Sequence, residues 1–438
     1  MIKIKKNKSA DAHEQQTPYA GTFKGTVVPT APHLLVSGPT GRGKSLRVLV
    51  PGALMWRGPR VLVSSKTDFM KEVMKRNIHE RGPVYVMDLA GEIDDSFTWL
   101  KGVEYTRVAP DPTTLIDNDD DALDMASLLM KVGAIGAAEG GNSSGSGDAF
   151  WETLAAQPLA ALLLAAKASG DGVTWALRAV GKVKKDDADD ISPSWANAYE
   201  LVEKTSFHAG ELLSAGRMED KIRDSIMATM KSGLKPWVLT NVRGTDGVEP
   251  FWPKMLEGPA EPTLVIISPS DSLAPGAAVA CVETIIRHWR RGVERGLPRV
   301  LLSIDEAVNT CYLPRLPVYV TEARGLGVAC VIAVQSTTQM KSRWGEVGAE
   351  ILREVFPAFL VLEGAPEFDA LDLASKWSGE HDVWRETINP DNSKTLTAEK
   401  APRRTVSELL PETVEKGRLL LYGKEGHKVD LPGIWQFG

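Results

Sequence analysis

Eight consecutive residues, Gly38–Ser45 (GPTGRGKS), set glycines, a lysine and a hydroxyl at the spacing G-x-x-x-x-G-K-[ST]. Each residue type has a task in holding a chain of phosphates. A loop of Gly38, Pro39, Thr40, Gly41, Arg42 and Gly43 can curl until its backbone N–H groups face phosphate oxygens. Lys44 then puts a cation on the β and γ oxygens, and Ser45 offers its hydroxyl to magnesium. An apolar run, His33–Ser37, precedes the motif and a helical run from Leu46 follows it, which are the flanks this turn requires.

A second stretch, Val300–Glu306 (VLLSIDE), is an apolar run ending in two acids. Strand-ending acids also occur as ordinary loop residues. With a phosphate loop upstream, Asp305 is expected to hold magnesium through water and Glu306 to polarise the attacking water as general base. The expected cofactors are ATP and Mg2+, with Ser45 and Asp305 as the metal-holding pair and NTP hydrolysis as the chemistry.

Other chemistries find no support. None of the seven histidines forms a metal pair four residues apart, and nothing resembles a serine or cysteine triad. Cys281, Cys311 and Cys330 make no close pair, which suits core thiols in a reducing compartment. The formal charge of −6 excludes a globally basic nucleic-acid binder, so a polyanion would need a local positive track. Two tracks are candidates. Arg287, Arg290, Arg291 and Arg295 share one face of a helical run from Val279 to Arg295, either lining a pore for phosphates or forming a solvated helix face. Lys231, Lys235, Trp237 and Arg243 mix charge with an aromatic, suiting single-strand contact or, for Trp237, a place in the core.

At 438 residues, 43% of them apolar, the chain is long enough for two or three cores. Residues 1–30 read as a polar lead-in, and the basic MIKIKKNK as a solvated tail without the apolar stretch of a secretory signal. Strands are expected at Arg60–Ser64, Val84–Asp88, Thr263–Ser268, Val300–Asp305 and Val328–Gln335, with helices between most of them. That alternation predicts an α/β fold with a largely parallel sheet.

The alternation breaks over residues 111–262, where helices are expected at Ala122–Lys131, Asp148–Lys167, Ala196–Lys204 and Ala215–Lys231. Gly140–Asp148 (GGNSSGSGD) reads as a flexible loop and Lys182–Asp190 as a charged turn. The expected organisation is a nucleotide-binding domain in two parts, residues 31–110 and 263–438, with an all-α domain inserted between its strands. Gly379–Thr405 reads as polar loop. Trp151, Trp175, Trp195 and Trp377 are expected to anchor helices in the core. The longest strongly apolar run, Leu159–Ala166, falls short of the roughly 20 residues of a spanning helix, so no bilayer crossing is expected.

The segments HLLVSGPTGRGKS, DAFWETLAAQPLAALLL (Asp148–Leu164), IDEAVNTCYLPRLPVYVTEARGLGVACVIAVQS (Ile304–Ser336) and the tail RRTVSELLPETVEKGRLLLYGKEGHKVDLPGIW resemble the TraG/TraD coupling ATPases of type IV secretion. The resemblance spans about His33–Trp435. It implies a RecA-like hexamer with an all-α domain inserted in each subunit, and an ATP-driven motor that brings DNA, single-stranded by expectation, or a DNA–protein adduct to a conjugation channel. It further implies Arg324 as an arginine finger reaching a neighbouring subunit and Gln335 as a phosphate-sensing glutamine. By position alone, Arg324 could equally be a surface arginine or a salt-bridge partner, and Gln335 an ordinary capping amide. The implied partners are DNA, a relaxase or relaxosome protein, and membrane-anchored channel subunits. The implied location is cytoplasmic, peripheral at the inner face of the membrane.

Family members carry transmembrane helices before the nucleotide-binding domain, so an anchor borrowed from a membrane partner is expected here. The family's DPKGE segment reads SSKTDF at Ser64–Phe69, leaving Lys66 and Asp68 without a transferable role. Two other functions fit the same motifs. One is a double-strand DNA pump of the FtsK/HerA kind, and the other is a protein-cargo receptor that uses ATP as an assembly switch.

Overall fold

The computed structural model describes residues 16–133, 146–245, 247–388, 394–422 and 426–437. In chain order its strands are β1 (Thr22–Phe23), β2 (Thr26–Val27), β3 (Leu34–Ser37), β4 (Arg60–Ser64), β5 (Val84–Asp88), β6 (Thr106–Ala109), β7 (Glu249–Pro250) and β8 (Thr263–Ile267). There follow β9 (Val300–Ile304), β10 (Val328–Val334), β11 (Ala358–Leu362), β12 (Glu380–Ile388), β13 (Lys394–Pro402), β14 (Lys416–Leu421) and β15 (His427–Asp430). The chain divides into two compact units, one built of Met1–Trp56, Leu316–Arg324 and Ala329–Gly438, the other of Arg57–Arg315 and Gly325–Val328.

In the first unit β3 lies between β10 and β11, parallel to both, with Leu35 opposite Ile332 on one side and Phe359 on the other. Runs such as LLVS, VACVIAV and AFLVL carry apolar side chains at successive positions because both faces of these strands are covered. Antiparallel strands extend this sheet from β11 through β14 and β15 to β1 and β2.

The second unit holds the parallel series β9-β4-β8-β5-β6-β7. Between β6 and β7 the chain is helical: Asp119–Val132, Ser146–Ser169, Gly172–Ala179, Trp195–Val202, Ala209–Gly216 and Asp220–Leu234. Asn118 and Ser194 accept hydrogen bonds from the N–H groups of Asp121 and Asn197, so each starts its helix as an N-cap. Trp237 is 1% exposed and its indole N–H donates to the Pro110 carbonyl at 2.6 Å, which makes it a core residue rather than a nucleic-acid contact.

Several sequence expectations need correction. The helix Ser146–Ser169 is 24 residues long, and its stretch Ala149–Ser169 is long and apolar enough to cross a membrane by length and composition. It packs against the helices Asp119–Val132, Gly172–Ala179, Trp195–Val202, Ala209–Gly216 and Asp220–Leu234. A helix ringed by helices must be apolar on most of its circumference, which explains the composition without a bilayer. Its start also overlaps the expected loop Gly140–Asp148, of which residues 140–145 lie outside the described residues.

The expected helix Ala215–Lys231 is two helices, because the chain turns between Gly216 and Asp220. Gly379–Thr405, expected as loop, contains the antiparallel pair β12–β13, in register from Glu380↔Pro402 to Ile388↔Lys394. Both faces are exposed, so the sequence lacks the one-sided burial that betrays a strand. Trp175 and Trp195 are buried, but Trp377 is 46% exposed at the end of its helix.

Candidate nucleotide site

The loop Gly38–Ser45 turns out of β3 into the helical run Lys44–Leu49, continued by Val50–Met55. Gly41 and Gly43 sit at φ +78° and +88°, a backbone region that costs a side chain about 1–2 kcal/mol and glycine almost nothing. At Gly43 a Cβ would also lie 2.7 Å from Cδ of Arg47. Gly38 approaches Leu362 so closely that a Cβ would sit 2.8 Å from the leucine Cβ. The glycines of the motif are therefore demanded by both path and space.

Lys44 is buried, and its ammonium donates to the carbonyls of Gly38 at 2.5 Å and Pro39 at 3.2 Å. The charge is held at the centre of the turn. Arg42, exposed, pairs with Glu363 beyond β11 at 3.2 Å. Arg47 fixes the following helix: its guanidinium donates to the Leu431 carbonyl at 2.6 Å and lies 5.2 Å from the Trp435 ring centroid.

Gln335 follows β10 directly. Because Val334 pairs with Ser37 and accepts the Gly38 N–H at 3.2 Å, the glutamine stands beside the start of the phosphate loop. Arg324 is exposed in the turn Ala323–Leu326, ahead of β10, and makes no ion pair among the described residues. The seven residues of β10 separate these two groups by roughly 23 Å at the usual rise per residue. Gln335 and Arg324 therefore occupy opposite ends of one strand.

Asp305 and Glu306 belong to the other unit, at the end of β9. The Asp305 N–H donates to the Val63 carbonyl at 2.9 Å, and the Thr310 hydroxyl donates to the Asp305 carbonyl at 2.7 Å. Glu306 adopts φ +52°, an uncommon region for a side-chain residue that costs of order 1–3 kcal/mol. The Asn309 N–H donates to the Glu306 carbonyl at 2.8 Å, and that turn sustains the conformation.

The arginine stripe is differently made. Arg287 pairs with Asp124 at 3.1 Å, Arg291 with Asp121 at 2.8 Å and Arg295 with Glu257 at 3.5 Å. Burial would raise the Asp121 carboxyl, but the hydrogen bond and charge of Arg291 outweigh it and hold the group below the usual carboxylate range. A cleft of about 500 Å³ beside this helix is lined by both signs, among them Asp111, Asp171, Lys167, Arg243 and Lys254. Neither feature presents the uncompensated positive track that a pore for phosphates needs.

All three cysteines are buried free thiols, and burial pushes Cys281 and Cys311 well up, as inert core residues. Among the described residues no group of three or more histidine, cysteine, aspartate or glutamate side chains is placed to hold a metal.

Sequence reasoning missed Glu367, which lies between the β3 and β10 strand ends, and the Arg42–Glu363 pair. No motif marks either. Only the parallel placement of β11 beside β3 brings those two acids to the loop.

Residues 299–414 match the family model described as the TraM recognition site of TraD and TraG. Conjugal transfer protein TraG of Escherichia coli is 25% identical over 405 residues, covering 86% of this chain and 59% of the relative. The chain thus spans about three fifths of that relative's length. Among solved structures, the unbound bacterial conjugative coupling protein TrwBdeltaN70 superposes with a TM-score of 0.62 at 19% identity, over 95% of this chain and 88% of the other. Plasmid coupling protein TrwB in complex with ADP and Mg2+ gives 0.58 at 20% identity, over 98% and 89%. The fold is that of these coupling-protein structures, RecA-like α/β, and among the described residues the segment between β6 and β7 is helical.

Proposed function

We propose that this chain, a relative of the TraG/TraD coupling proteins in sequence and fold, is an ATPase that drives DNA, or a DNA–protein adduct, toward a conjugation channel. The observation that carries the reading is the phosphate loop: a buried lysine at the centre of a glycine turn that opens into a helix N-terminus. That donor set fits a nucleoside triphosphate. Bound magnesium would neutralise charge on the β and γ oxygens, and Ser45 and Asp305 are the residues assigned to hold it.

Lys44 binds the phosphates. Glu306 accepts a proton from the attacking water and Gln335 orients that water from its place beside Gly38. Arg324 stands at the far end of β10 from this loop, so we assign it to the γ-phosphate of a second copy in a ring, a hexamer by family resemblance. The nucleic acid is taken to be single-stranded, and the relaxosome and membrane-anchored channel subunits are the proposed protein partners. The proposed location is the inner face of the cell membrane.

Hydrolysis by the purified chain, measured with no DNA, single strands or duplex, tests the reading together with native mass. Turnover stimulated most by single strands, in particles several times the chain mass, is the expected result. Stimulation by duplex alone would favour a double-strand pump, and MgATP that neither binds nor turns over would remove the function altogether.

A further inference from the structure

Glu367 is 3% exposed and lies just past β11. Its Oε1 accepts the Ser37 hydroxyl at 2.6 Å and the Thr337 N–H at 2.7 Å, and its Oε2 accepts the Thr337 hydroxyl at 2.6 Å. Ser37 and Thr337 are themselves buried. Burying a carboxylate is expensive unless its oxygens are satisfied. Here the donors come from two strand ends only: Ser37 immediately precedes the phosphate loop, and Thr337 follows Gln335 by two residues. Neither end can shift without uncovering the acid.

We infer that Glu367 is a positioning residue that locks the Gln335 turn to the phosphate loop. The turn has its own reinforcement: the Ser336 hydroxyl accepts the Thr338 N–H at 3.1 Å, and Gln339 reaches the Gln335 side chain at 3.5 Å. The backbone ties Val334 to Gly38 through one N–H to carbonyl bond, and beyond that rung the side-chain link from the turn to the strand end before the loop passes through the carboxylate. Beyond it, Glu363 holds Arg42 from the same β11 side, so strand ends on both flanks of β3 grip the loop. The consequence is that the amide's reach to a γ-phosphate is set by an acid whose carboxylate is engaged by Ser37 and Thr337. A displacement of about 1 Å at a reacting centre can cost on the order of 100-fold in rate, so a loose turn lowers turnover while the loop still binds.

This inference rests on the reading of Gly38–Ser45 as a triphosphate site with Gln335 as its sensor. The test combines hydrolysis with amide hydrogen exchange of the full chain, with and without a non-hydrolysable ATP analogue. For Glu367→Ala we expect the analogue to protect Gly38–Ser45 as in the parent but to leave residues 335–340 unprotected, with turnover down about 10- to 100-fold. Thr337→Val, which removes a single bond and keeps the fold safe, should move both readouts the same way by less. Glu367→Gln should recover turnover to within about threefold, because its amide can accept from Ser37 and the Thr337 N–H while donating to the Thr337 hydroxyl. Adding Gln335→Ala to Glu367→Ala should slow hydrolysis no further than Gln335→Ala does alone.

Undiminished protection of residues 335–340 in both Glu367→Ala and Thr337→Val, or losses that multiply with Gln335→Ala, would overturn the inference. A parent whose Gly38–Ser45 amides ignore the analogue would instead bring down the triphosphate reading, and this inference with it.

Discussion

The phosphate loop and the arginine helix Ala274–Gly292 both look, in sequence, like places for a polyanion. They differ in what holds their charges. Lys44 is held by two backbone carbonyls, whereas Arg287 and Arg291 each meet a carboxylate. A carbonyl orients a cation without cancelling it, and an acid cancels it. Density of positive residues is therefore a poor guide to an anion site, and the identity of each partner is the better one.

Lys44→Ala should break the comparison most severely, taking nucleotide affinity and turnover together to below detection in a binding titration and a phosphate-release assay. Arg324→Ala should follow, with turnover lower by about 10³-fold or more and nucleotide affinity nearly unchanged, because a finger acts on transition-state charge across a subunit boundary. Hydrolysis that survives in Arg324→Ala would remove that role.

On the arginine helix the expected losses are in stability instead. Asp121→Asn should cost about 1.5–3 kcal/mol at pH 7, the range for a hydrogen bond to a charged group, read from denaturant unfolding. The Asp121 carboxyl is held low in the folded chain, so its contribution is present above the unfolded carboxylate pKa and is lost as pH falls through the folded value. The gap between parent and Asp121→Asn should accordingly close in acid, and a gap that persists there would mean packing, not charge, was lost. Smallest of all, Arg287→Ala combined with Arg291→Ala should change DNA-stimulated turnover by less than about twofold, since paired arginines have little field left for phosphates. A large loss of stimulation would reinstate this face as a DNA track.

Strands β3 and β10 were legible in the sequence because a parallel strand covered on both faces must be apolar along most of its length, as Leu34–Val36 and Val328–Val334 are, whereas β11 beside β3 was not among the expected strands. The hairpin β12–β13 was not, because cross-strand pairs such as Arg385–Glu399 and Lys394–Glu386 leave no period that a window can detect. Helix Ser146–Ser169 misled in the other direction: the apolar circumference that fits five neighbouring helices also fits lipid.

By itself the order of residues determined the phosphate loop, since glycine spacing, lysine and hydroxyl act within one turn and need no distant partner. Tertiary structure alone decided which arginines are spent and which acid braces the loop. Asp121 lies 170 residues from Arg291 and Glu367 lies 330 from Ser37, distances along the chain that no local pattern spans and that strand and helix packing close to a hydrogen bond.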